Sequence, residues 1–179
     1  MSSAAGRLRP FEADAALQAF TLQFDLGRRG AQLDIHYQLL GPIEALVLPA
    51  VASPPRRLDD LWQQTCFECF VAIEAQPAYW ELNLSPSCDW NLYRLSAYRQ
   101  ELEPEKACHA LTPSSLRSDN AYSLDVSLDL APFIPGDQTL EIAVAAVIMQ
   151  RSGELSHWSL AHPAPAPDFH HRNGFLLRL

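Results

Sequence analysis

Two thiols and an acid stand close together in the run LWQQTCFECF, residues 61–70. Cys66 and Cys69 have the Cys-x-x-Cys spacing found in zinc and redox sites, and Glu68 lies between them. The apolar residues around them favour a strand over residues 66–74. On a strand the two thiols point to opposite faces and lie about 10 Å apart along the chain, so they cannot share one zinc ion. A metal or redox site here would require that the segment is not a strand, and Cys69 is interpreted as a small core residue.

A second strand, residues 79–85, is predicted to pair with the first through a turn at Gln76-Pro77. The predicted register pairs Cys69 with Leu84, which keeps apolar side chains together, and sets Glu68 opposite Ser85. Such a register collects polar side chains on the other face of the sheet: Glu68, Glu81, Asn83 and Ser85. This face is either the solvated side of a half-buried sheet or the floor of a binding site for a neutral, polyhydroxylated ligand.

Several large aromatic residues lie beside polar residues and not inside apolar runs: Trp62, Trp90, Tyr93 and Trp158. Indole and phenol rings bury a flat apolar face while a polar edge stays hydrated, and stacking on a sugar ring requires this combination. The aromatic residues therefore favour the binding-site interpretation.

Alternation of apolar and polar residues with period two recurs along the chain and predicts strands. Residues 20–26 and 33–39 read as a hairpin around GRRG, residues 124–130 and 139–149 as further strands, and residues 154–162 and 175–179 as the last two. No helix longer than about two turns is needed. The chain is thus predicted to be all-β, a single antiparallel β-sandwich over residues 20–179, preceded by an N-terminal extension over residues 1–19.

Composition narrows the possible partners. The chain of 179 residues has 13 basic and 21 acidic residues and no basic stripe, which argues against nucleic acid and anionic membranes as partners. The longest apolar run, residues 142–149, is too short to span a membrane. The first residues do not read as a secretory signal, so we expect a cytoplasmic protein whose four cysteines are free thiols.

Two segments resemble the DOMON-like members of the type 9 carbohydrate-binding module superfamily: residues 61–99, from LWQQTCFECF to RLSAYR, and HWSLAHPAPAPDFHHRNGFLLRL, residues 157–179. The resemblance implies a jelly-roll-like sandwich in which two tryptophans enclose a sugar and polar strand residues bind its hydroxyls. Trp62 then resembles the first clamp and Trp158 the second, while Glu68 and Asn83 resemble hydroxyl ligands. The expected protein is a non-catalytic sugar-binding module without a cofactor.

Other functions remain open at this stage. Related members of the superfamily hold haem, and His162 is the candidate axial ligand here; a structural cation is also possible. His157, His170, His171 and Asp168 crowd the end of the chain with His162, although spacing along a strand disfavours a shared metal. An enzyme would use Cys66 as a nucleophile or Glu68 and Glu81 as paired glycosidase carboxylates.

Overall fold

The computed structural model describes residues 1–136 and 138–179, and the regular structure of these residues is twelve strands and four short 3₁₀ helices. The strands are β1 Ser2–Pro10, β2 Thr21–Arg29, β3 Gln32–Leu40, β4 Cys66–Ile73, β5 Tyr79–Leu84, β6 Trp90–Leu95, β7 Glu103–Pro104, β8 Ser114–Arg117, β9 Ala121–Asp129, β10 Leu140–Met149, β11 Leu155–Ser159 and β12 Leu177–Arg178. The 3₁₀ helices are Ala15–Ala19, Ile43–Ala45, Leu61–Gln63 and Arg172–Gly174. The all-β prediction is confirmed.

The strands form two antiparallel sheets that pack face to face. Sheet A has the order β1-β2-β3-β9-β8, and sheet B has the order β7-β6-β5-β4-β10-β11, with β12 paired to the free part of β10. The main core lies between the two sheets and takes the inward residues of both. The hairpin predicted around GRRG is β2–β3, whose inward residues alternate with exposed ones as expected. The chain is therefore a β-sandwich.

The first strand joins the two sheets. The sequence predicts an N-terminal extension over residues 1–19, whereas in the structure β1 pairs with β2 along Ser2 to Leu8 and with β11 at Arg9 and Pro10. The sequence gives no clear alternation of large apolar residues over this strand, because most of its inward residues are small. A Cβ atom built at Gly6 would lie 2.9 Å from Cε1 of Phe24, so this close approach needs glycine.

The pairing of β4 with β5 has the predicted faces but not the predicted register. Cys69 lies opposite Leu82 and Glu68 opposite Asn83, a shift of two residues from the predicted pairs. The shift leaves every side chain on its predicted face, because the side-chain period is two. The turn is the cause: Ala75 adopts a positive φ of 61° and the ladder already ends at Ala72 and Tyr79.

Among the residues that the structure describes, none of the helices has the length and apolar character that crossing a membrane would require.

Arg28, on β2 of sheet A, joins the β2–β3 turn to two segments next to strands of sheet B. Its guanidinium is buried and donates hydrogen bonds to the main-chain oxygens of Gly30 at 3.0 Å, Gln138 at 2.6 Å and Leu179 at 2.8 Å. These bonds join the hairpin β2–β3 to the loop before β10 and to the residue after β12. The guanidinium thereby satisfies carbonyl groups that would otherwise lose their bonds to water.

We expect Arg28→Ala to lower the free energy of unfolding by about 2–4 kcal/mol, because buried carbonyl groups lose charge-assisted hydrogen bonds. The neighbouring Arg29 is exposed, so Arg29→Ala serves as the matched control and should change stability by less than about 0.5 kcal/mol. Urea denaturation of both variants measures the difference. Equal losses would show that the buried guanidinium has no special role.

Candidate functional site

A cavity of about 400 Å³ opens on the outer face of sheet B, the face that does not contact sheet A. Strands supply its floor, and the segments around residues 62, 99–102 and 167–170 supply its walls. The lining residues are Trp62, Glu68, Glu81, Leu95, Arg99, Leu102, Val147, His157, Pro167, Phe169 and His170. Its size lies in the range of small-molecule binding sites.

Two carboxyl groups form the polar part of the floor. Glu68 on β4 and Glu81 on β5 are 3% and 4% exposed, and both face the cavity. Oε1 of Glu68 is buried and has no hydrogen-bond partner in the part of the chain that the structure describes. Glu81 is held in place by Asn83, whose amide donates to Oε1 of Glu81 at 2.9 Å. An unsatisfied buried carboxyl oxygen is costly, and a ligand that donates to it removes that cost.

Burial raises the pKa of Glu68 well above its ordinary value, and the negative charge of Glu81 adds to the effect. Burial also raises the pKa of Glu81, although the hydrogen bond from Asn83 and the charge of Arg99 act in the opposite direction. Two carboxyl groups in one water-poor site disfavour double ionisation. The pair therefore holds protons to higher pH than exposed glutamates do.

Trp62 forms one wall of the cavity. It lies in the 3₁₀ helix Leu61–Gln63, which follows Asp60 with its positive φ of 60°. Asp59 anchors this segment to β6, because its carboxylate accepts hydrogen bonds from the Tyr93 hydroxyl at 2.6 Å and from the Asn91 amide at 2.9 Å. The indole contacts Tyr93 edge to face with ring centroids 5.8 Å apart. Trp62 is thus half-buried and positioned, with part of its ring facing the cavity.

The Pro-rich segment near the end of the chain forms the opposite wall. Asp168 holds this segment against the loop after β6, accepting from the Tyr98 hydroxyl at 2.7 Å and from the Arg99 guanidinium at 3.0 Å. The next two residues then reach the sheet: Phe169 and His170 both pack on Phe70, with centroids 6.5 and 5.2 Å away. One carboxylate therefore positions three of the lining side chains.

His170 lies between the carboxyl groups and the aromatic residues. Its Nδ1 is 2.8 Å from the Tyr79 hydroxyl and its Nε2 is 3.9 Å from Oε2 of Glu81. Burial lowers the pKa of His170 to about 4, and the positive charge of Arg99 contributes to the shift. The imidazole is consequently neutral at physiological pH and presents one polar nitrogen on the side of Glu81.

Of the six sequence-predicted ligand-binding residues, the structure brings Trp62, Glu68 and Glu81 together in the cavity wall and floor. Asn83 is fully buried beneath them. Ser85 lies elsewhere, beyond the end of β5, where it accepts hydrogen bonds from Ser87.

Trp158 does not lie opposite Trp62, contrary to the clamp expected from the resemblance. It is 2% exposed, belongs to the core between the sheets, and donates from Nε1 to the Ser156 hydroxyl at 2.9 Å. The alternation of side chains along β11 explains this position. His157 points outward and lines the cavity, so the next residue, Trp158, points inward to the core. Phe169 and His170 occupy the wall where a second clamp was expected.

The histidine and cysteines that the sequence suggests as haem ligand, metal ligands or nucleophile are not placed for these roles. His162 places Nε2 2.9 Å from the main-chain oxygen of Arg9, next to the Phe11 ring. Cys66 and Cys69 do point to opposite faces of β4, and all four cysteines are free and buried. Burial raises the pKa of the Cys66 thiol well above its ordinary value, which disfavours a nucleophilic role. Over residues 1–136 and 138–179, no three His, Cys, Asp or Glu side chains are grouped as metal ligands.

Sequence reasoning missed Arg99, Leu102, Phe169 and the role of His170. The segment D-F-H, residues 168–170, carried part of the resemblance, but its residue types alone do not say that the segment folds over β4 and β5. Arg99 follows β6, a strand that was not predicted. The loop contacts of Asp168, on which their placement depends, are long-range and leave no local pattern in the sequence.

Comparison with known proteins supports the fold. Neither a protein-family model nor a curated protein matches the chain by sequence. Among solved structures, a Bacteroides uniformis protein proposed to bind carbohydrate aligns over 96% of this chain and 83% of its own, with a TM-score of 0.70 and 16% identity. A family 9 carbohydrate-binding module of Caldicellulosiruptor kristjanssonii in complex with cellotriose aligns over 90% and 74%, with a TM-score of 0.52 and 13% identity. The chain thus has the β-sandwich fold seen in carbohydrate-binding modules of this kind.

The two tryptophans should differ sharply in their effect on stability. We expect Trp158→Ala to lower the free energy of unfolding by about 3–5 kcal/mol, because it empties a large volume of the core. Trp62→Ala should cost at most about 2 kcal/mol, because the indole is only half-buried. Chemical denaturation of both variants measures the contrast, and a Trp62→Ala loss as large as that of Trp158→Ala would make Trp62 a core residue.

The lowered pKa of His170 predicts a pH dependence of stability. Between about pH 6.5, where an unfolded histidine titrates, and pH 4, the unfolded chain binds a proton at His170 that the folded chain does not. The wild type should therefore lose stability relative to His170→Asn as pH falls through this window. An NMR titration of the imidazole resonances should place its midpoint near 4. A His170 midpoint near 6.5 would contradict the predicted shift.

Proposed function

We propose that the cavity on sheet B binds a small carbohydrate and does not convert it. The observation that carries the proposal is the convergence of an aromatic wall, Trp62 and Phe169, with two buried carboxyl groups, Glu68 and Glu81, in one cavity. A sugar has apolar C–H faces that pack on aromatic rings and hydroxyl groups that hydrogen-bond to carboxyl oxygens. The unpartnered Oε1 of Glu68 supplies an acceptor that no described protein group uses.

The β-sandwich fold adds support to the proposal. One structural neighbour is a carbohydrate-binding module in complex with cellotriose, and the other is proposed to bind carbohydrate. Because identity to both is below a fifth, these neighbours support the class of ligand and not the particular sugar. We assign the ligand contacts to Trp62, Glu68 and Glu81, and a positioning role to Asn83.

The expected affinity is modest. Covering one face of a tryptophan removes roughly 80 Å² of apolar surface, or about 2 kcal/mol at 25 cal/mol per Å². With a second aromatic wall at Phe169 the apolar contribution reaches about 4 kcal/mol before association costs, which corresponds to millimolar binding. Hydrogen bonds to Glu68 and Glu81 must supply any tighter binding and the choice of sugar.

A glycoside-hydrolysing enzyme is the second candidate, favoured by one observation. Glu68 and Glu81 face the same cavity and both have raised pKa values, as a general acid requires. A glycosidase also needs one carboxylate that is ionised, whereas burial raises the pKa of both. Release of the aryl group from a panel of aryl glycosides, abolished in Glu68→Gln, would establish this activity in place of simple binding.

Haem binding is the less supported alternative, since His162 lies next to Arg9 and Phe11 and does not line the cavity. A Soret band after addition of haem to the purified protein would support the haem-binding function. The cytoplasmic location and the absence of a required cofactor stay predictions from the sequence.

We expect isothermal titration calorimetry to detect binding of at least one member of a panel containing glucose, cellobiose and cellotriose. Trp62→Ala should weaken that binding by about 10- to 30-fold, because the sugar loses about 2 kcal/mol of apolar contact. Leu116 is an apolar residue on sheet A that is 76% exposed. The Leu116→Ala variant is the matched control and should bind the sugar normally. Sugar binding that is unaffected by Trp62→Ala would place the ligand elsewhere on the protein.

A further inference from the structure

The floor of the cavity holds two carboxyl groups close together. Glu68 and Glu81 sit diagonally on adjacent strands, Glu68 opposite Asn83 and Glu81 opposite Phe70. Side chains in this relation start about 7–8 Å apart, so one small group can contact both carboxyl groups. Placing two carboxyl groups in a buried floor is unfavourable unless a positive charge or a proton neutralises them.

The described residues provide no free cation for this pair. Arg99 is the guanidinium in the cavity wall, and it is already bound to the carboxylate of Asp168 at 3.0 Å. His170 stays neutral because burial lowers its pKa to about 4. His157 pairs with the carboxylate of Glu12, its Nδ1 lying 2.7 Å from Oε1 of that residue. Each neighbouring basic group is thus either paired or uncharged.

The rest of the lining also favours a cation. Trp62 and Phe169 line the same cavity as the two carboxyl groups. Aromatic faces attract ammonium groups through their quadrupole, and the attraction grows when water is excluded. Buried carboxyl groups with aromatic walls are a combination that recognises organic ammonium ions better than neutral ligands.

We infer that the ligand carries a protonated amine, held between the carboxyl groups of Glu68 and Glu81, so that the preferred carbohydrate is an amino sugar with a free amino group. This inference rests on the proposed function and names the class of ligand that the same cavity binds. The ammonium group donates to the unpartnered Oε1 of Glu68 and to Glu81, while the sugar ring packs against Trp62. Neutral sugars and N-acetylated sugars bind less tightly, because they cannot form charge-assisted hydrogen bonds with the carboxyl pair.

Binding of the amine displaces the protons that the empty carboxyl pair holds, so proton release accompanies binding. Other titratable and charged groups lie near the pair: Cys66, Tyr79, Tyr93, Arg99, His157 and His170, with Asp168 bound to Arg99 behind them. Burial raises the pKa values of the thiol and the two phenols, so these groups keep their protons at neutral pH.

The test compares glucosamine, N-acetylglucosamine and glucose by isothermal titration calorimetry at about pH 6 in phosphate and in MES buffer, so that the amino group of glucosamine is already protonated before it binds. The three sugars share the same ring and differ at one substituent, which is charged only in glucosamine. We expect glucosamine to bind about tenfold or more tightly than either neutral sugar. Its binding enthalpy should depend on the buffer, which reports proton release, whereas that of glucose should not.

Glu68→Gln separates the carboxyl pair from other sources of charge and protons. It should bring the ratio of glucosamine to glucose affinity near one and abolish the proton release, while every other group near the pair is unchanged. Glu154→Gln, an exposed glutamate between β10 and β11, is the matched control. Far-ultraviolet circular dichroism and a cooperative melt verify that each variant is folded.

The outcomes distinguish the two levels of the proposal. Glucose or N-acetylglucosamine binding as tightly as glucosamine, with dependence on Trp62, overturns the amine inference and leaves carbohydrate binding intact. A glucosamine preference that survives Glu68→Gln also overturns the inference. If none of the three sugars nor the cellulose fragments binds, the proposed function fails together with it.

Discussion

The site depends on the antiparallel pairing of β4 with β5. Because side chains alternate along both strands, the pairing that buries Cys69 against Leu82 in the core necessarily turns Glu68 and Glu81 to the outer face of sheet B. The strands cannot slip by one residue without moving these acids into the core, where a carboxyl group is far less tolerable. The core contacts of the sandwich therefore determine the positions of the polar groups in the cavity.

The outer face of a sheet normally contacts water, and here it is nearly closed. A second cluster of buried aromatic and aliphatic residues lies on it, including Phe70, Tyr79 and Phe175, with Trp62 and Phe169 packed at its edge. The loops that close the cavity are held by two carboxylates: Asp59 anchors the Trp62 segment to β6, and Asp168 joins the C-terminal segment to the loop after β6. The walls are consequently formed before a ligand arrives, which lowers the entropic cost of binding.

This closure raises the pKa of the carboxyl groups of Glu68 and Glu81 and lowers that of the imidazole of His170. On an open sheet face the same side chains would be hydrated and would titrate normally. Because these buried groups have lost most of their water, hydrogen bonds or a charge from a ligand stabilise them more than they would stabilise exposed groups. The unpartnered oxygen of Glu68 is the clearest sign of this change, since buried carboxyl oxygens in folded proteins normally have partners.

The sequence by itself determined the all-β class, the hairpin β2–β3, and the two faces of β4 and β5 with the positions of Glu68 and Glu81, because each depends on period-two alternation within a short segment. Only the tertiary structure decided that β1 joins the two sheets, that Trp158 belongs to the core, and that the pairing of β4 with β5 is shifted by two residues. The tertiary structure also places Arg99, Phe169 and His170 around Glu68 and Glu81. These features arise from turn geometry and from contacts between residues far apart in the chain, and neither leaves a periodic pattern in the sequence.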